Sequence, residues 1–100
     1  MPKVKMAISH SLGQQGALDR IKSYSDKVRD KFAESVKNLE EKWEDNRCDF
    51  GFRTYGMDFK GSLTVLDSEV QLESDLPFRA MMFKGRIQKE VEEQFGKLLA

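Results

Sequence analysis

The chain is poor in the residues that build most recognisable sites. One cysteine in 100 residues excludes an internal disulfide and any zinc site made of several thiolates. One histidine excludes the usual multi-histidine metal centres. Neither glycine-rich phosphate-binding pattern is present, nor a nucleophile elbow, so nucleotide cradling and serine-hydrolase chemistry of that type are not expected. No apolar run approaches the roughly 20 residues of a membrane span. The first thirteen residues are too polar for a signal peptide, and a cytoplasmic protein is expected. Seventeen basic and seventeen acidic side chains cancel, so no overall field draws the protein to nucleic acid or membrane. No cofactor is expected, and the expected state is a monomer or weak dimer.

What is present suffices for one folded unit. Hydrophobic residues make up 39% of the chain, enough for a core and too many for a disordered segment. The charge is unevenly placed: residues 1–37 carry a net +4, residues 38–76 a net −6 and residues 77–100 a net +2. There is no repeat and no linker-like stretch, so residues 1–100 read as a single α+β domain.

Val4, Met6 and Ile8 alternate with polar or small residues, the period of a half-buried strand. Leu18, Ile21, Val28 and Phe32 then mark one face of a helix expected over about residues 13–35, with Tyr24 or Ser25 filling the gap and Ser11 as N-cap. Residues 38–76 read as a four-stranded meander, whose turns can be placed by register. A turn at Asp45-Asn46 sets Trp43 opposite Cys48 and Lys42 opposite Asp49. A turn at Tyr55-Gly56 sets Phe52 opposite Phe59 and Arg53 opposite Asp58. A turn at Asp67-Ser68 sets Val65 opposite Val70 and Leu63 opposite Leu72. All three registers collect apolar side chains on one face and complementary charges on the other, which a one-residue slip would destroy. After Pro77, the residues Phe83, Ile87, Val91, Phe95 (or Gln94) and Leu98 form a second helical stripe. The order β-α-β-β-β-β-α predicts two layers: a five-stranded antiparallel sheet of order 1-5-4-3-2 with both helices on one face.

Several segments together resemble a known family. They are HSLG at residues 10–13, KWEDN at 42–46, FRTYGMDFKG at 52–61, and LPF followed by FKGRIQKEVEEQF at 83–95. In order and spacing the chain is similar to the small bacterial polyhydroxyalkanoic acid system proteins over residues 4–99. Residues 34–39 depart from that pattern, being longer and more polar. The resemblance implies a setting in polyhydroxyalkanoate metabolism or granules, and brings no catalytic residues with it. The element order also resembles a reduced helix-grip domain, in which a curved sheet wraps a C-terminal helix and apolar ligands lie between them.

Three groups of residues are candidates for function. Phe78, Met81, Met82 and Phe83 crowd more large apolar groups into a short stretch than one helix face can bury, with the cations Arg79, Lys84 and Arg86 interleaved. They form a contact patch for a granule, lipid layer or partner, or else a loop that plugs one end of the core. Phe50, Phe59, Leu63, Ile87 and Val91 would line a groove for a small apolar ligand under the second helix. His10 and Glu41 are the titratable groups nearest the apolar face. As a pair they would do acid–base work, with burial raising the carboxyl pKa. Their strands lie at opposite edges of the proposed sheet, which favours His10 as a helix cap and Glu41 leaning into water. Cys48 reads as a small packed hydrophobe beside Trp43. Gly85 is expected to permit close packing against the sheet near Phe50 or Phe59. The outer sheet face is charged and lacks exposed aromatics, which argues against RNA. The favoured function is a non-enzymatic accessory protein that binds a hydrophobic surface, acyl compound or partner. A helix-grip ligand carrier and an interaction module of another pathway are the alternatives.

Overall fold

The computed structural model describes residues 3–31 and 33–100. Strand β1 (Lys3–Ser9) leads into helix α1 (Gly13–Lys31), followed by β2 (Lys37–Glu44), β3 (Arg47–Thr54), β4 (Met57–Val65) and β5 (Glu69–Asp75). A short 3-10 helix (Phe78–Phe83) then runs directly into α2 (Lys84–Leu98). The sheet order is β1-β5-β4-β3-β2, with every neighbouring pair antiparallel. This is the predicted α+β architecture, and the predicted cross-strand pairs are present: Trp43 with Cys48, Phe52 with Phe59, Arg53 with Asp58, and Leu63 with Leu72.

The turns follow from the chemistry of their residues. Tyr55 and Gly56 both have positive φ, 51° and 71°, as the tight two-residue hairpin turn requires. Asn46 closes the preceding turn onto β4: its side-chain amide donates to the Val65 carbonyl at 2.9 Å, and the Val65 amide donates to its carbonyl at 2.8 Å. One residue is inserted near the start of β2. Lys37 pairs with Arg53 but Glu40 with Gly51, and Asn38 takes a φ of 53°. This β-bulge turns Leu39, Glu41 and Trp43 toward the helices.

Helix α1 ends sooner than predicted. Residues 33–35 form a turn, held by Thr54 Oγ1 donating to the Ser35 carbonyl and Lys37 Nζ to the Ala33 carbonyl. Phe32, assigned to the apolar stripe from sequence, lies outside the described residues. At the other end the cap is not Ser11. The Gln14 amide donates to Asp67 Oδ1 at 3.4 Å, so the β4–β5 turn caps the helix.

Both helices lie on the apolar face, and the core beneath them is in two parts. The larger part joins Ile8, Ala17, Leu18, Ile21, Cys48, Leu63, Val65, Val70, Leu72 and Leu99. The smaller joins Val4, Phe59, Leu76 and Ala80. On α1 the fully buried residues all fall in the first half, and α2 has none. The helices are anchored at one end and stand off the sheet elsewhere.

Gly85 does not serve the predicted close approach. Nothing lies within 4 Å of where its Cβ would stand, because it sits on the open side of the first turn of α2. The glycine that permits contact is Gly61 on β4, where a Cβ would meet the Glu73 carbonyl oxygen at 2.5 Å and the tip of the Phe50 ring at 2.9 Å. The two should therefore respond oppositely to alanine. Gly61→Ala is expected to cost roughly 1–3 kcal/mol by overpacking against backbone. Gly85→Ala is expected to be neutral or stabilising by up to about 1 kcal/mol. Thermal unfolding of the two variants checks the pair of signs.

Candidate functional site

The gap between the two parts of the core is a groove. Its floor is a row of aromatic rings on β3 and β4: Phe50 and Phe52 stack at 6.4 Å between ring centres, and Phe52 and Phe59 at 5.3 Å. Phe50 and Phe52 are two apart on β3 and so share a face, and register places Phe59 opposite Phe52. Ile21, Tyr24 and Val28 of α1 form one wall, and Ile87, Val91 and Phe95 of α2 the other. Val4, Met6 and Leu76 close the β1–β5 side. The cavity measures about 1000 Å³ and is open to solvent. All five residues named from sequence for such a groove, Phe50, Phe59, Leu63, Ile87 and Val91, face it.

Polar groups are few and lie along the walls and rim: Ser25, Glu41, Thr54, Ser74, Arg86 and Glu90. Glu41 is the most constrained. Its Oε1 accepts from the Ser25 hydroxyl and from Arg29 Nη2 at 2.6 Å, and its Oε2 from the Trp43 indole N–H at 3.2 Å. Ser25 and Arg29 stand one helical turn apart, so one carboxylate reaches both. Lys22, on the preceding turn, places its ammonium 4.9 Å from the centre of the Trp43 ring, a cation–π contact. The cluster ties the second half of α1 to edge strand β2. Glu41 does not lean into water: its side chain is only 14% exposed. Nor is its pKa raised. Burial pushes it up, but the hydrogen bonds from Ser25, Arg29 and Trp43 and the Arg29 charge outweigh that and hold it below the ordinary glutamate range.

His10 is remote from Glu41 and does not line the groove. Its Nδ1 accepts the Leu12 amide at 3.2 Å, which leaves Nε2 protonated and donating to the Leu66 carbonyl at 3.1 Å. It ties the entry of α1 to the β4–β5 turn. Cys48 is buried opposite Trp43, and burial, with the Glu41 charge, pushes its thiol up to about 11. Among the described residues no cluster of three or more His, Cys, Asp or Glu could hold a metal ion, and no helix is long and apolar enough to cross a membrane.

The 3-10 helix is part core plug and part exposed surface. Ala80 and the preceding Leu76 plug the end of the core, while Phe78, Met81, Met82 and Phe83 remain exposed. Arg79 donates to the Gly56 carbonyl at 3.0 Å and binds this segment to the β3–β4 turn. Lys84 and Arg86 project from the first turn of α2.

The profile of the family described as putative polyhydroxyalkanoic acid system protein matches residues 4–99. The chain belongs to that family. No curated protein and no solved structure matches it. Sequence periodicity put Val28 on this face of α1 with Tyr24 or Ser25 in the gap; both Tyr24 and Ser25 line the groove, with Ser25 as the polar member. What periodicity missed is Arg29, which bonds to Glu41. One signal was available: a glutamate between Leu39 and Trp43 on an apolar face needs donors, and Ser25 and Arg29 at i,i+4 can supply them.

The Glu41 cluster predicts a specific response to acid. A folded-state pKa below the unfolded value, about 4.3, makes the carboxylate stabilising above that value. The contribution is lost as pH falls through the folded pKa. Glu41→Ala is therefore expected to destabilise the protein at pH 7 by roughly 1–3 kcal/mol. The gap to wild type should narrow progressively below about pH 4.3, as read by urea unfolding across pH.

Proposed function

We propose that this chain is a non-enzymatic accessory protein of a polyhydroxyalkanoate system that holds an acyl chain or short hydroxyalkanoate ester in the groove between helices and sheet. The observation that carries the reading is the groove: about 1000 Å³ with a lining dominated by apolar side chains. That is the upper end of the range for small-molecule sites, roughly 300–1,000 Å³. Protein interiors otherwise close-pack, with few voids larger than a water molecule. An acyl chain entering it would gain about 0.8 kcal/mol per buried methylene before the costs of association. The family supplies the setting, and on this reading the protein works in the cytoplasm at or near polymer granules.

The positions of the reactive groups support the non-enzymatic part. A nucleophile needs a base within hydrogen-bond reach. The Cys48 thiol is buried and held protonated, with its Sγ 3.7 Å from the Asp49 carbonyl. His10 uses both ring nitrogens on backbone groups. Glu41 is a carboxylate with three donors already bound.

Trp43 is the chain's sole tryptophan and lines the groove, so it reports on occupancy. Titration with methyl 3-hydroxydecanoate is expected to change its fluorescence saturably. In the variant Ile87→Phe/Val91→Phe, added rings fill the space. Its affinity should fall at least about tenfold, a loss of about 1.4 kcal/mol, with no loss of thermal stability. No saturable change in wild type, or equal affinity in the filled variant, would reject the reading.

A further inference from the structure

We infer that the end of the molecule formed by the 3-10 helix and the β3–β4 turn docks on an anionic phospholipid surface. Tyr55 is 89% exposed at the tip of the turn, and Phe78 and Met82 are 86% and 83% exposed on the 3-10 helix. Side chains three apart on a 3-10 helix eclipse one another. Phe78 with Met81 and Arg79 with Met82 therefore form two adjacent outward ridges, while Ala80 turns to the core. The Arg79 bond to the Gly56 carbonyl joins the two segments into one surface. Tyr55 is also an aromatic residue held at a φ of 51°, a conformation that favours Gly, Asn or Asp. A soluble domain has no folding reason to place its largest exposed apolar groups together there.

Charge selects the occupant. Residues 76–89 contain four cations, Arg79, Lys84, Arg86 and Lys89, and no acid, in a chain whose net charge is zero. The nearest acid on the turn, Asp58, is paired with Arg53 at 3.0 Å on the outer sheet face. Large apolar side chains rimmed by lysine and arginine match the boundary between acyl chains and anionic headgroups. There the rings and thioethers enter the apolar layer, and the cations reach phosphate along their apolar stems. The patch is also continuous with the groove, since Tyr55, Phe83 and Arg86 are among its lining residues. Docking by this end therefore brings the groove beside the lipid, a consequence that rests on the groove reading, whereas docking itself does not.

Co-sedimentation tests the inference, using the full chain and vesicles of phosphatidylcholine with or without about one quarter phosphatidylglycerol. Wild type is expected to bind the anionic vesicles at least about tenfold more tightly than the neutral ones, and to be released as salt shortens the Debye length from about 10 Å at 0.1 M to about 3 Å at 1 M. Phe78→Ser/Met82→Ser should abolish binding, and Lys84→Gln/Lys89→Gln should remove its salt-sensitive part. Circular dichroism should show both variants folded, because none of the four side chains is buried. Methyl 3-hydroxydecanoate binding should persist in both. Wild type remaining in the supernatant with anionic vesicles would overturn the inference. So would equal binding by Phe78→Ser/Met82→Ser, or a concentration-dependent dimer that this variant dissolves, which would assign the patch to a second copy of the chain. Loss of ester binding by wild type with vesicle binding intact would overturn the groove reading alone.

Discussion

The inner face of the sheet is wider than two amphipathic helices can cover. Five strands present mainly apolar residues on that face, and β3 and β4 place three phenylalanine rings side by side. Helix α1 commits Ala17, Leu18 and Ile21 to that face and then stands off it. Helix α2 contributes only half-buried side chains before Leu99 seals its end. A β-sheet must bury its apolar face against another layer. Here that layer closes at one end, and at the other only under the 3-10 helix. The groove is the remainder, and the functional argument follows from it.

The polar interactions hold this unfilled arrangement open. The Glu41 carboxylate, bonded by Ser25, Arg29 and Trp43, fixes the far half of α1 to edge strand β2 without bringing its backbone down onto the rings. Arg20 bonds the Leu98 carbonyl at 3.2 Å and also reaches the Ala100 carbonyl, joining α1 to the end of α2. His10 and Asp67 fix the start of α1 to the β4–β5 turn. Directional contacts thus tie α1 at its start and in its far half, and α2 at its end. Gly61 adds a second constraint, because only a residue without a side chain lets Phe50 lie across β4 beside the Glu73 carbonyl.

The parts of this structure that were legible from sequence depend on local rules. Strand register could be read because Asp45-Asn46, Tyr55-Gly56 and Asp67-Ser68 are turn formers at spacings that align apolar with apolar and charge with charge. The strand order followed from those directions. Helix stripes at Ile87, Val91 and Phe95 had the right period and therefore faced the groove. What escaped depends on tertiary packing. Whether Phe50 and Phe59 meet a helix or open space is a matter of interlayer distance, which periodicity does not encode. The bulge at Asn38, the role of Gly61 in place of Gly85 and the fate of Arg29 all require neighbours from distant segments. The early end of α1 reflects competition from contacts to Ser35 and Ala33 that no helical pattern contains.

The central claim is that the space above Phe50, Phe52 and Phe59 is open in solution and accepts an acyl chain. Methyl-resolved NMR tests it most directly, with methyl 3-hydroxydecanoate titrated into protein labelled at Leu, Ile and Val. The account predicts saturable shifts at Val28, Leu63, Ile87 and Val91, which face the groove, and little change at Val65 and Val70, which are fully buried beyond it. Unmoved groove methyls at saturating ester, or shifts spread evenly through the core, would contradict it.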